Sequence, residues 1–145
     1  MKVKILDKLT PEVATRIREL LPQLSRTHKD PGEIPEQYIR EIIDSPYHDI
    51  LIAQSDNDQI IGIAILSVIA NFKMKKAYLE DFVTDNNVRG QGIGSKMWEE
   101  MLIWAKDHNC TELDFTSGQG RETAWEFYKH KGATIYDTNF FRKEL

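Results

Sequence analysis

Residues 88–96, VRGQGIGSK, place three glycines between two segments whose apolar patterns differ. The segment before them, from Tyr78 to Thr84, ends in β-branched side chains and predicts a strand. The segment after them carries apolar side chains at helical spacing along one face. A strand that turns through glycines into a helix directs backbone N–H groups and the positive end of the helix dipole toward one point. These residues therefore predict an anion-binding turn, at which phosphate is the usual ligand.

The glycine spacing excludes the two best-known phosphate motifs. The dinucleotide fingerprint G-x-G-x-x-G would require a glycine in place of Ser95 or Met97. The Walker A motif would require a lysine directly after Gly94, which is followed instead by Ser95 and then Lys96. A glycine-rich turn that binds no ligand is the alternative to an anion site at this point.

The remaining pattern, Arg89-x-x-Gly92-x-Gly94, resembles the pyrophosphate-binding motif of the GCN5-related N-acetyltransferases (GNAT), which use acetyl-coenzyme A (acetyl-CoA). Residues 121–133, RETAWEFYKHKGA, are similar to the late helix of this family, in which an alanine precedes a Phe-Tyr pair. The two motifs occur in the family's order. From about residue 51 to residue 145 the chain follows the family pattern.

The resemblance implies acetyl-CoA as a cosubstrate and no metal. In the family the glycine turn lies against the pyrophosphate, because a Cβ atom would block the approach. The end of the preceding strand pairs with the pantetheine arm, and one of its backbone N–H groups faces the thioester oxygen. The residues that the resemblance places at the cofactor are Phe82, Val83, Thr84, Arg89, Gly90, Gln91, Gly92, Ile93, Gly94, Ser95 and Arg121.

Tyr128, in the late helix, is the residue that the resemblance places beside the thioester sulfur. A phenol with a pKa of about 10 is protonated at neutral pH and can give its proton to the departing thiolate. The alternative is a helix aromatic that packs beside Phe127 with its hydroxyl hydrogen-bonded. We interpret Tyr128 as the catalytic general acid.

Glu80 is our candidate for the amine side of the reaction, because family members commonly carry an acidic residue at this point of the strand. Alternation along an unbroken strand places Glu80, Phe82 and Thr84 on one face and Asp81 on the opposite face. A carboxylate that is buried without a partner in mid-strand is strongly unfavourable, so it requires either a structural partner or a function. Asp81 is the alternative candidate.

Arg121 departs from the family, in which many members have an asparagine seven residues before the tyrosine. An arginine is permanently charged and can fork onto a phosphate or a carboxylate. The substitution resembles a branch of small acetyltransferases with an Arg-x-x-Ala-x-x-Phe-Tyr helix, which includes enzymes for aminoalkylphosphonates. An acceptor with a phosphonate or another acidic group is therefore one expectation. The alternative is that Arg121 caps or solvates the start of the helix.

The composition is that of a soluble globular protein, and we expect one domain spanning residues 1–145. The net charge of -4 gives no basic field for nucleic acid, and no apolar run is long enough to cross a bilayer. The single cysteine, Cys110, cannot form an internal disulfide, and no cluster has zinc-ligand spacing. Since residues 1–5 do not read as a secretory signal, we expect a cytoplasmic protein without nucleic-acid or membrane partners.

Turn signals and apolar periodicity predict the element order β-α-α-β-β-β-α-β-α-β-β. Together with the resemblance, this order implies a mixed α/β (α+β) fold with a mostly antiparallel central sheet and helices on both faces. The loop 25–35, which contains His28, is expected to border the acceptor cavity. The predicted strands are 3–5, 49–54, 59–68, 76–84, 112–116, 134–136 and 140–143, and the predicted helices are 11–21, 36–43, 92–108 and 121–131.

The function expected from these observations is transfer of an acetyl group from acetyl-CoA to a primary amine of a small molecule, by direct attack on the thioester. Two alternatives stay open. One is a protein acceptor, either an N-terminus or a lysine. The other is a non-catalytic module that binds acetyl-CoA and regulates a partner, although the presence of both Tyr128 and Glu80 favours an enzyme. A homodimer is a further expectation.

Overall fold

A computed structural model describes residues 1–24 and 32–145 of the chain. Within them the chain forms two compact units, Met1–Phe115 and Thr116–Leu145. Most of the predicted loop 25–35, including His28, lies outside the described residues, so its place beside an acceptor cavity stays a prediction. No helix in the described part of the chain has the length and apolar character needed to span a bilayer.

The first unit is built on a sheet that has five strands in its described part, arranged in chain order. The first four strands pair antiparallel, and the last two pair parallel. This arrangement confirms the predicted mixed, mostly antiparallel sheet. The strands are β1 (Lys2–Ile5), β2 (His48–Gln54), β3 (Ile60–Ala70), β4 (Lys75–Thr84) and β5 (Leu113–Phe115).

The helices are α1 (Pro11–Leu20), α2 (Glu36–Ile43), α3 (Ile93–Asp107) and α4 (Glu122–His130), with short 3-10 turns at Leu21–Leu24 and Asn86–Val88. The start of α1 follows from local chemistry. The Thr10 hydroxyl accepts a hydrogen bond from the Val13 N–H at 3.3 Å, and Pro11 occupies the first helical position.

Helices α1 and α2 cover one face of the sheet, where their apolar stripes pack against alternate strand residues. Ile50 and Ile52 of β2 belong to this cluster, together with the fully buried Leu20 of α1 and Ile39 of α2. Burial of such side chains is the main favourable term for this half of the core, at about 25 cal/mol per Å² of apolar surface.

Helix α3 covers the opposite face. The side chains of Met97 and Met101 are fully buried, and the Trp104 indole N–H donates to the Asp49 carboxylate at 2.7 Å. Asp49 alternates with Ile50 along β2, so it lies on the face that α1 and α2 do not cover. Helices on both faces, as predicted, are therefore confirmed.

A β-bulge interrupts β4 at Asp81, whose φ of 49° lies in the left-handed region. Ile65 of β3 pairs with Glu80, whereas Ile63, two residues away, pairs with Val83. Since Ile63 and Ile65 lie on the same face of β3, their partners Glu80 and Val83 also share a face.

This bulge corrects the expected alternation in β4. Strict alternation placed Glu80 on the same face as Thr84, and that prediction is wrong. The strand contains one additional residue between Glu80 and Val83, which reverses the side-chain phase for everything after it. Glu80 therefore lies on the face covered by α1 and α2, while Thr84 pairs with Gly62 on the face of α3.

The second unit contains α4 and the C-terminal segment. The predicted strands 134–136 and 140–143 are wrong, because residues 134–145 form neither helix nor strand. The side chains of Ile135, Tyr136, Phe140 and Phe141 are exposed, and a local turn joins the Thr138 N–H to the Tyr136 carbonyl at 3.0 Å. β-propensity reflects packing on a pleated surface, so alternating apolar residues do not by themselves produce a strand.

Gly62→Ala should lower the free energy of unfolding by about 1–3 kcal/mol, the usual scale of overpacking in a closed core. An added Cβ atom would stand 2.6 Å from the sulfur of Met97, a fully buried residue of α3. Gly118→Ala is the matched control, because its Cβ atom would have no neighbour closer than 3.7 Å. Urea unfolding measures both variants, and equal midpoints would show that Met97 adjusts without cost.

Candidate functional site

The approach to the glycine turn is anchored by Asp85, which follows the last residue of β4. Its side chain is buried, and its carboxylate accepts a hydrogen bond from the Asn87 N–H at 2.9 Å and binds the Arg16 guanidinium. The hydrogen bond from Asn87, together with the charge of Arg16, lowers the pKa of Asp85 below its ordinary value. The 3-10 turn at residues 86–88 is therefore held in place on the side where the strand ends.

The glycine turn itself fits an anion. Gly90 and Gly92 have φ values of 79° and 77°, which lie in the left-handed region that favours glycine. At both positions the site of a missing Cβ atom has no described protein atom within 4 Å apart from the glycine and its two chain neighbours. Arg89 and Gln91 are exposed beside them. A ligand can consequently approach the backbone of this turn at close range.

Helix α3 presents its N-terminus at the end of this turn. Gly92 is the N-cap and supplies no side-chain hydrogen bond to the first turn of the helix. The first i→i−4 bond runs from the Lys96 N–H to the Gly92 carbonyl at 3.0 Å, so the N–H groups of Ile93, Gly94 and Ser95 precede the helical ladder. The positive end of the helix dipole adds to the attraction for an anion.

The bulged end of β4 offers an extended backbone next to this turn. Strand β5 pairs with β4 only from Ala77 to Leu79, so in the described part of the chain no strand lies beside residues 80–84 on that side. The side chain of Val83 is buried in the core, whereas Phe82 and Thr84 are half-buried. An extended ligand could therefore contact this stretch mainly through its backbone.

Glu80 and Asp81 place two carboxylates at the bulge, and both residues are exposed as a whole. Partial burial of the carboxyl group, and secondarily the charge of Asp81, raises the pKa of Glu80. Partial burial also raises the pKa of Asp81. Each acid therefore holds a proton more readily than in water, which is the property expected of a group that exchanges protons with a ligand.

Tyr128 and Arg121 lie in the second unit, Tyr128 within α4 and Arg121 directly before it. The Tyr128 side chain is half-buried, and its ring stands edge-on to that of Phe127 with 5.4 Å between centroids. Burial raises the pKa of the Tyr128 hydroxyl, although the nearby charge of Arg121 acts in the opposite direction. The phenol is therefore protonated at neutral pH. Arg121 precedes the helix without a side-chain capping bond.

The structure brings one group of predicted residues together, from Glu80 to Ser95, in the first unit. The residues that hold this group in place, Arg16, Gln23 and Asp85, were not predicted from the sequence. Asp85 carried a detectable signal, since an aspartate before a short turn is a common capping residue. Arg16 carried none, because 69 residues separate it from Asp85. Within the described ranges, no three His, Cys, Asp or Glu side chains converge as a metal site would require.

Comparison with known proteins adds three findings. A sequence model of the acetyltransferase (GNAT) family matches residues 15–133. A thialysine N-epsilon-acetyltransferase of Bos taurus is 34% identical over 64 residues, which cover 44% of this chain and 38% of the relative. An aminoglycoside N(6')-acetyltransferase type 1 of Serratia marcescens is 27% identical over 96 residues, which cover 61% of this chain and 66% of the relative. The chain thus spans less than two thirds of either relative's length.

The fold is shared with solved structures across the whole chain. A glucosamine-6-phosphate N-acetyltransferase from Arabidopsis thaliana superposes with a TM-score of 0.77 over 99% of each chain. The sequence identity is 20%, so the likeness concerns the fold alone.

Gly92→Ala should weaken binding of CoA about tenfold or more, because the added Cβ atom enters the space through which the pyrophosphate would approach. Gly132→Ala is the matched control, since Gly132 has a φ of 83° and similar open space but lies outside the turn. Both substitutions should cost about 1–2 kcal/mol of backbone strain. Calorimetric titration with CoA separates them, and equal affinities would remove the turn from the cofactor site.

Proposed function

Since the chain belongs to the acetyltransferase (GNAT) family, we propose that it is an acetyl-CoA-dependent N-acetyltransferase, working as one domain of residues 1–145, that acetylates the primary amine of a small molecule. The observation that carries the proposal is the glycine turn of Gly90 and Gly92, which opens onto the uncapped N-terminus of α3 beside a bulged strand. Acetyl-CoA supplies an activated acetyl group as a thioester. The chain's own residues would bind the cofactor, accept the proton of the amine and protonate the leaving group.

The first task is to hold an anion and an extended arm. The N–H groups of Ile93, Gly94 and Ser95 and the backbone of the glycine turn would bind the pyrophosphate, with Arg89 and Gln91 at its edge. The backbone of residues 82–84 would pair with the pantetheine arm, and one N–H there would donate to the thioester oxygen as negative charge develops.

The second task is to deliver the amine without its proton. An amine with a pKa of about 10 is almost fully protonated at neutral pH. Glu80 would bind the ammonium and accept its proton, directly or through water. Its raised pKa makes the carboxylate a stronger base than an ordinary glutamate. Asp81 is adjacent and has the same direction of shift, so it is the alternative base.

The third task is to protonate the leaving group. The amine nitrogen forms a bond to the acetyl carbon, the carbon–sulfur bond breaks, and the sulfur takes the electron pair. Tyr128 would donate its hydroxyl proton to this sulfur, and the second proton of the attacking nitrogen would then restore the phenol, directly or through water. The raised pKa of the phenol keeps it protonated until a base of comparable strength appears. Arg121 would bind the cofactor or an acidic group on the acceptor.

The substrates of the two relatives support a small molecule as the acceptor. One is an acetyltransferase for thialysine and the other for aminoglycosides, and both are small amines. A cytoplasmic location and a homodimer belong to the same proposal, the former supported by the single cysteine. Nucleic-acid and membrane partners are not part of it.

The proposal is tested by release of free thiol from acetyl-CoA in the presence of a panel of small amines. Small-molecule acceptors should accelerate thiol release well above hydrolysis, and CoA should raise the melting temperature. Acceleration by peptides alone would identify a protein acceptor. Binding of CoA without accelerated thiol release would identify a non-catalytic module, and absence of CoA binding at millimolar concentration would contradict the proposal.

Glu80→Gln should reduce kcat/KM for the amine about a hundredfold, because a positioned general base contributes at least that much. The affinity for CoA should stay unchanged. The wild-type rate should fall as pH drops through the raised pKa of Glu80, and this acid limb should be lost from the profile of the variant.

Asp81→Asn is the matched control for Glu80, because asparagine tolerates the left-handed backbone that this position requires. It should keep most of the activity and an acid limb, which moves to somewhat lower pH because the charge of Asp81 no longer raises the pKa of Glu80. If Asp81→Asn loses the limb and Glu80→Gln retains it, the two roles are exchanged.

Tyr128→Phe should lower kcat and kcat/KM together by about a hundredfold or more, since the lost hydroxyl would act only in the transition state. The ring volume is nearly unchanged, so stability should move by about 1 kcal/mol at most, the size of one hydrogen bond. Thiol release under saturating amine measures the effect, and calorimetry with CoA should show wild-type affinity. Near-normal turnover in this variant would show that Tyr128 is not the general acid and has a packing role.

A further inference from the structure

Arg16 of α1 contacts two other parts of the first unit and one residue of its own helix. Its Nε donates to the Ile60 carbonyl at 2.6 Å, one terminal nitrogen binds the Asp85 carboxylate, and the other binds Glu19 at 2.6 Å. The side chain is 15% exposed and that of Asp85 is 6% exposed. Each of the three guanidinium nitrogens therefore makes a contact, and most of the side chain is withdrawn from solvent.

Asp85 links Arg16 to the turn that follows β4. Its N–H donates to the Ile61 carbonyl at 2.9 Å, its carboxylate caps the Asn87 N–H, and its carbonyl accepts from the Val88 N–H at 3.1 Å. The backbone and side chain of Asp85 are thereby fixed at the point where the strand becomes the turn. Arg89 is only four residues further along the chain.

Gln23 makes a second contact from the same side. Its Oε1 accepts a hydrogen bond from the Asn86 N–H at 2.8 Å. Gln23 lies in the 3-10 turn that continues α1, so both contacts come from one contiguous segment, residues 16–23. Two consecutive residues of the turn, Asp85 and Asn86, are consequently held by the same segment.

The glycine turn needs such an anchor at its start. Gly90 and Gly92 lack the steric restriction that other residues impose, so the turn is ordered mainly by what precedes and follows it. Its far end is fixed by α3, in which Ile93 and Met97 are buried. Its near end is fixed by Asp85. A loop that is already held in its binding shape binds more tightly, because less ordering remains for the ligand to impose.

We propose that Arg16 and Gln23 are positioning residues for the cofactor, which fix the glycine turn toward the pyrophosphate by holding Asp85 and Asn86. Neither residue would touch the cofactor. The inference rests on the proposed function, since it assumes that the turn binds the pyrophosphate of CoA. A purely structural tie between α1 and the sheet would lower stability but would not distinguish one acetyl donor from another.

The test compares acetyl-CoA with acetyl-pantetheine, which has the same thioester and arm but no pyrophosphate. Arg16→Lys keeps the charge and loses the fork, so KM for acetyl-CoA and Kd for CoA should rise about tenfold with kcat preserved. Gln23→Ala removes one exposed hydrogen bond and should raise both constants about threefold to tenfold. For acetyl-pantetheine, kcat/KM should stay at the wild-type value in both variants.

Glu19→Gln is the matched control, because it weakens the exposed contact of Arg16 and leaves the Asp85 contact intact. It should behave as wild type with both donors. Melting temperatures without ligand show whether each variant is folded, and Gln23→Ala provides the test if Arg16→Lys is not.

Three results are decisive. Selective loss with acetyl-CoA supports the inference. Wild-type CoA affinity in a folded Arg16→Lys or Gln23→Ala, or an equal loss with both donors, overturns it while the proposed function stands. Failure of the wild-type protein itself to bind CoA overturns the proposed function and this inference together.

Discussion

The arrangement of the first unit depends on the contacts made by the carboxylate of Asp85. It joins the end of β4, the turn before α3 and the guanidinium of Arg16, and it is the one charged residue buried among the residues that the structure describes. Its lowered pKa means that folding favours the ionised form. The stability it contributes is thus present above the ordinary range of an aspartate and is lost as pH falls through the lowered value.

The bulge at Asp81 is the second constraint, and it acts on geometry. One additional residue in β4 reverses the side-chain phase, so Glu80 faces the side of α1 and α2 while Thr84 faces the side of α3. The same irregularity lies where β5 stops pairing with β4. The candidate base, Glu80, and the stretch proposed to pair with the cofactor, residues 82–84, therefore lie close together along β4. The bulge lies between them.

Much of the candidate site could be predicted from sequence because its signals are local. The glycine turn, the helix after it and the cap at Thr10 each follow from residues within a few positions of one another. The phase of Glu80 could not be predicted, because a bulge is a property of the pairing with β3. The strands expected at 134–136 and 140–143 failed for a related reason, since strand formation requires a neighbour as well as propensity.

By itself the sequence determined the class of fold and the position of the glycine turn before α3, because apolar periodicity and glycine placement are properties of short stretches. The candidate acid and base came from the resemblance to the family and stay predictions. Only the tertiary structure decided which face Glu80 occupies and which residues hold the turn. Arg16 meets Asp85 across 69 positions of the chain. A contact at that separation depends on how α1 docks on the sheet, and no local pattern specifies it.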